Sequence, residues 1–367
     1  MKRACAAGLL AALLLAGCSS HERRFESLVP PRTKSPPGAE EEDAVALQLI
    51  RRYRPVARRL PAETLASLTQ ASAILYYATP TTELHDSVGR FADALLGSRL
   101  RPGYEWREDA GPPRSDPGVT ALAGTALIDA YLATRRQRYR SGVLSFVKAV
   151  RSRRLGWTRT RQGFAVRTPG TPRTLNIALT GQVIQFLDHF GRALDRPRSG
   201  HPTAGSQPGQ DRLPPGRLAA RRGIDWIRSA QPAVGRWYAA VLTRRPRIGR
   251  EWATTLLALA VIGGGRASGI LGPGVPAIWR AMFRANGHPR RGTTSSREGL
   301  ALALSVFEEW SDRRYARRAF ASALRTRRRD GSTSFAPARD SVTQAYFALS
   351  LARRVFHAAE RAASRRR

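Results

Sequence analysis

The chain has 367 residues, 42% of them hydrophobic, and a formal net charge of +35 at pH 7. That length and apolar content suffice for a large core in one closed domain. Cys5 and Cys18 are the only cysteines, and their place at the start of the chain excludes a disulfide framework, a cysteine metal site and a thiol nucleophile for the folded part.

Met1–Gly17 reads as a secretion leader, with Lys2 and Arg3 before the apolar run Gly8–Leu15. It is too short for a spanning helix. Leu15-Ala-Gly-Cys18 has the pattern of a bacterial lipobox, which predicts cleavage before Cys18 and a lipid on its sulfur. Ser19 after that cysteine favours the outer membrane, so the expected location is the periplasmic face of the outer membrane. Ser19–Asp43 is rich in Pro, Ser, Glu and Arg and reads as a solvated tether. The folded part is expected over residues 44–358, followed by a basic tail, 359–367.

Past a weak first hairpin, Leu65–Leu100, one helix type recurs. It opens at Asp116-Pro117, at Thr174-Leu-Asn176, at Arg250-Glu251, at Arg297-Glu298 and at Arg339-Asp340. Each copy begins with a polar or acidic group suited to a helix N-terminus, and each continues in Ala, Leu and Thr with little charge. The helices between them differ. Leu144–Val150, Ala219–Ser229 and Tyr315–Arg325 place apolar residues three and four apart, with Arg on the other face. Buried helices therefore alternate with amphipathic ones. Near the end the pattern is clearest, with helices predicted over Glu298–Trp310 and Arg313–Thr326 and a loop carrying Asp330, Gly331 and Phe335. Spacings of roughly 45 to 75 residues are too long for tetratricopeptide or ankyrin units. They predict an all-α fold, an α/α toroid of about five to six helical hairpins, complete or incomplete.

No phosphate loop, zinc motif or nucleophile elbow is present. His21, His85, His189, His201, His288 and His357 are scattered. No cofactor and no metal are expected, and no nucleic-acid motif appears. In a toroid the starts of the inner helices converge, which would bring Asp116, Asn176, Glu251, Glu298 and Asp340 to one mouth. Aromatics precede most of them: Tyr104 and Trp106, Trp157 and Phe164, Trp237 and Tyr238, and Phe335. Carboxylates beside flat aromatic platforms suit a sugar cleft. The same residues also suit plain helix caps and packing.

Two phrases carry a family resemblance. Tyr131-Leu-Ala-Thr-Arg-Arg-Gln-Arg-Tyr139 and Thr168-Pro-Gly-Thr-Pro-Arg-Thr-Leu-Asn176 lie within Tyr104–Arg196, about a quarter of the chain. This stretch resembles the helical domain of D-glucuronyl C5-epimerases and, more loosely, six-hairpin enzymes and polysaccharide lyases acting on uronic-acid polymers. The family's Thr-Gly-Asp is replaced by Thr134-Arg-Arg. The Asp330-Gly331 loop is also similar to the repeats of terpene cyclases, whose Asp-x-Asp-Asp acid is absent.

The resemblance implies an acidic polysaccharide as partner and proton abstraction at C5, giving epimerisation or lyase cleavage. Tyr238, Glu251, Glu298 and Asp340 are the candidate catalytic residues; Trp106, Trp157, Asn176 and Trp237 are the candidate substrate contacts. The arginine excess suits an anionic partner, although a GC-rich coding sequence also writes Arg for Lys. The alternative is a non-catalytic lipoprotein scaffold that binds an anionic glycan or an envelope protein.

Overall fold

A computed structural model describes residues 35–36, 38–98, 116–151, 157–168, 171–194, 216–230, 248–290, 297–310 and 313–365. Twelve α-helices are described: α1 Glu40–Tyr53, α2 Ala62–Ala78, α3 Thr82–Gly97, α4 Pro117–Thr134, α5 Gln137–Arg151, α6 Ile177–Ala193, α7 Gly216–Ala230, α8 Ile248–Ile262, α9 Gly265–Met282, α10 Arg297–Glu309, α11 Arg313–Arg325 and α12 Ser341–Ser364. The even-numbered helices form the inner ring. Each packs on the next, α2 on α4, α4 on α6, α6 on α8, α8 on α10, α10 on α12, and α12 again on α2. The odd-numbered helices lie outside, each against an inner partner. The helical toroid expected from the sequence is therefore present and closed.

Closure depends on a pairing between the two ends of the described chain. Helix α1 packs on α12 and so completes the sixth hairpin. Tyr53 Oη donates to Gln344 Oε1 at 2.5 Å across that contact. Gly331, at φ +80°, sits in the loop before α12, and a Cβ there would lie 3.3 Å from the Gln48 side chain of α1. The first helix thus begins at Glu40, inside the stretch read as tether, and α12 extends through most of the stretch read as tail. The weak first hairpin is a full member of the ring, and α2 is the inner helix that the repeat pattern left out.

The alternation of helix types has a packing cause. Inner helices touch neighbours on every side, so α2 buries polar Thr64, Ser67, Thr69 and Ser72 along with its apolar residues. Ser67 and Thr69 donate their hydroxyls to carbonyls one turn back, which satisfies them within the helix. Outer helices bury one stripe only. In α11, Ala316, Ala319, Phe320 and Ala323 face inward, and arginines cover the rest. Where α4 crosses α6, Gly124 lets the rings of Phe186 and Phe146 come close, and those rings lie 4.6 Å apart. Trp279, Phe283, Phe307 and Tyr315 form a second aromatic joint among α9, α10 and α11.

The all-helical expectation needs one addition. Three antiparallel strands, β1 Trp157–Thr160, β2 Gly163–Thr168 and β3 Thr171–Asn176, form a meander before α6 in the order β1-β2-β3. Threonines and aromatics there favour extended backbone. Asn176 ends β3 and caps α6, and Val166 N–H donates to Thr180 Oγ1 at 2.9 Å, tying the sheet to that helix.

Candidate functional sites at the ring mouth and on its flank

The inner helices start on one side of the ring, and their first residues meet there. Arg250 of α8 reaches across the mouth. Its Nη1 lies 2.7 Å from Glu298 Oε2 of α10, and its Nη2 donates to Glu63 Oε1 of α2. Tyr346 of α12 donates its hydroxyl to the same Glu63 oxygen. Burial opposes the Arg250 charge, but the Glu63 and Glu298 carboxylates around it outweigh that and hold the guanidinium more firmly protonated than usual. Burial, and then the Glu63 charge, pushes the Tyr346 phenol well above its ordinary 10.0. Tyr346 is therefore a neutral donor here, and the cluster is an ion-pair clasp joining four inner helices.

The other predicted mouth residues divide by role. Asp116 accepts the N–H groups of Gly118 and Val119 at 2.7 and 3.1 Å. Asn176 accepts Leu179 N–H at 3.0 Å. Asp340 accepts Thr343 N–H at 2.9 Å and its hydroxyl at 2.6 Å. All three cap helices. Glu298 belongs to the clasp, and Glu251 is exposed in the first turn of α8. Trp157 is 4% exposed and meets Phe164 edge-on at 6.5 Å, so it packs the meander and offers no open platform. Phe335 is fully buried, stacked on Phe283 at 6.1 Å. Trp106, Trp237, Tyr238 and Cys18 lie outside the described residues.

Sequence reading missed Glu63 and Tyr346. Glu63 follows Pro61-Ala62 at the start of an unrecognised inner helix, so only recognising that sixth repeat could have found it. Tyr346 lies within the apolar run of α12 and carries no local signal.

A second place presents charge outward. The turn between β1 and β2 rests on α7, forming a cavity of about 390 Å³ lined by Arg159, Arg161, Gln162, Phe164, Arg222 and Asp225. Gly163 permits that approach, since a Cβ there would lie 2.0 Å from the Arg222 carbonyl oxygen. Asp225, the single carboxylate of the wall among the described residues, lies 2.5 Å from Arg266 of α9. Three exposed guanidiniums thus surround a concavity whose acid is already neutralised.

No family model matches the chain, and no curated protein does. Solved structures do match. An α-1,6-mannanase of Salegentibacter, in complex with α-1,6-mannotriose, aligns at TM-score 0.55 and 11% identity, covering 86% of this chain and 99% of that one. The type II terpene cyclase MstE from Scytonema aligns at 0.54 and 13%, covering 86% and 97%. A cellobiose 2-epimerase from Bacillus thermoamylovorans aligns at 0.50 and 11%, covering 80% and 88%. Identities this low speak for architecture alone. The chain has the six-hairpin α/α toroid fold, of the kind found in glycosidases, and that fold is shared here by a mannanase, a sugar epimerase and a terpene cyclase.

Proposed function

We propose that this chain is a lipid-anchored envelope protein whose toroid binds an acidic, uronate-type polysaccharide. The observation that carries this reading is the basic cavity of Arg159, Arg161 and Arg222. Its volume of about 390 Å³ falls within the range of small-ligand pockets, ~300–1,000 Å³. Guanidiniums pair with carboxylates through a planar fork. Elsewhere among the described residues, Glu83, Asp93, Asp225 and Asp330 each hold an arginine at 2.5 to 3.3 Å, so these carboxylates are already offset.

Binding is favoured over C5 chemistry because, of the candidate bases among the described residues, Asp340 acts as a cap and Glu298 is clasped by Arg250. A general base must be able to reach its proton, and neither of these two is so placed; Glu251, exposed in the first turn of α8, remains the candidate for that role. The toroid fold, which serves a mannanase and a sugar epimerase as well as a terpene cyclase, is compatible with a carbohydrate partner. Cys18 supplies the anchor and the location in the outer-membrane periplasmic face.

The test incubates the full chain in D2O with polygalacturonate and alginate, followed by proton NMR and by titration at rising salt. The expected result is binding that weakens steeply with ionic strength, is lost in the triple variant Arg159→Ser/Arg161→Ser/Arg222→Ser, and leaves the C5 proton signal unchanged. Loss of the C5 proton or new vinyl signals would replace binding with epimerase or lyase activity. Equal affinity in the triple variant would move the site elsewhere. A Cys18→Ser chain should leave the membrane fraction on cell lysis; retention there would overturn the anchor.

A further inference from the structure

Beyond the mouth, further along the inner helices, lies a cavity whose wall is mostly apolar but carries several polar groups. It is lined by Gln70 and Tyr77 of α2, Asp129 of α4, His189 of α6, and Arg353 and Phe356 of α12, with a volume of about 30 Å³. His189 Nε2 and Asp129 Oδ1 are 2.8 Å apart and both residues are buried. Arg353 donates through Nη1 to Glu309 of α10. Four inner helices, α2, α4, α6 and α12, therefore deliver polar groups to a point that neither the mouth clasp nor the flank cavity uses.

Among the described residues, two donors in this wall have no partner. Gln70 is 2% exposed and its Nε2 makes no hydrogen bond; Arg353 is 4% exposed and its Nε makes none. A buried donor left unsatisfied is costly, and such groups are rare unless something binds them. An occupant must therefore accept hydrogen bonds. It must also be neutral. Arg353 is already balanced by Glu309, so an added anion would be a buried charge without a counterpart, and a cation could not accept from the two donors. A volume of about 30 Å³ admits an oxygen or two of water size, and no sugar ring. Around it, Tyr77, Val261 and Phe356 form a largely apolar collar of the kind that covers the C–H face of a polyol.

We propose that this cavity is a binding site for the terminal hydroxyl or hydroxymethyl group of a neutral sugar or polyol, held by Gln70 and Arg353. It lies further along the inner helices than the mouth clasp and takes a neutral group where the flank cavity takes an acid. The two sites are therefore separable.

Saturation-transfer NMR on the full chain tests it, with glycerol, myo-inositol and glucose as probes. At least one probe should show transfer, weakened at least tenfold in Gln70→Met and in Gln70→Leu, which remove the donor at similar volume and relieve a buried polar group. Circular dichroism and thermal melts of both variants should match or exceed the parent, which separates lost binding from lost folding. Polygalacturonate binding should be unchanged in both, so failure here is distinct from failure of the flank site. Absence of transfer from all three probes would mean the cavity holds water only and overturns the proposal. So would undiminished transfer in both variants.

Discussion

Arg250 Nη1 lies 2.7 Å from Glu298 Oε2, and each residue belongs to the first turn of its own inner helix, α8 and α10. Glu63 holds the other arm of the same guanidinium from α2. One cation therefore separates two carboxylates. Arg250→Met should bring those charges together uncompensated and destabilise the ring by about 2 to 4 kcal/mol. Urea unfolding should show a lower midpoint at constant slope. An unchanged midpoint would mean the clasp contributes nothing.

Tyr346 gives the same cluster a dependence on pH. Its folded pKa is raised above the ordinary 10.0, so above pH ~10 the unfolded chain releases a proton that the folded chain keeps. Its contribution is complete below that pH and is lost as the solution becomes more alkaline. Stability should therefore fall from pH ~10 upward. Tyr346→Phe should shallow that fall, and at neutral pH should cost about 1 to 2 kcal/mol through the donor lost to Glu63. Denaturation across pH 8 to 11 reads both effects.

Asp340 separates a cap from a sugar contact. Asp340→Ala removes the bonds to Thr343 and should cost about 1 kcal/mol. Polygalacturonate affinity should stay within twofold. A large loss of affinity with little loss of stability would return Asp340 to the binding site.

Gly124 tests the closeness of the inner ring. A Cβ at this position would lie 2.5 Å from the Phe186 ring and 2.8 Å from that of Phe146. Gly124→Ala should destabilise the chain by about 1 to 3 kcal/mol through overpacking, despite alanine's better helix propensity. A thermal melt at or above that of the parent would contradict the close crossing of α4 and α6.

The two kinds of helix, their caps at Asp116, Asn176 and Asp340, and the toroid they imply were legible in sequence. Each depends on local rules: a cap reaches two or three residues forward, and an apolar stripe repeats every three or four. The meander was not read, because Thr158, Arg159 and Thr160 sit among loop-like residues and become strands only by pairing with β2. Tertiary structure alone decided that α1 closes the ring on α12 and that Trp157 is a packing residue. It alone joined Glu63 to Tyr346, 283 positions apart, and brought Gln70, Asp129, His189 and Arg353 to one cavity. Such pairings are set by how whole helices lie against one another, and no local period in the chain records them.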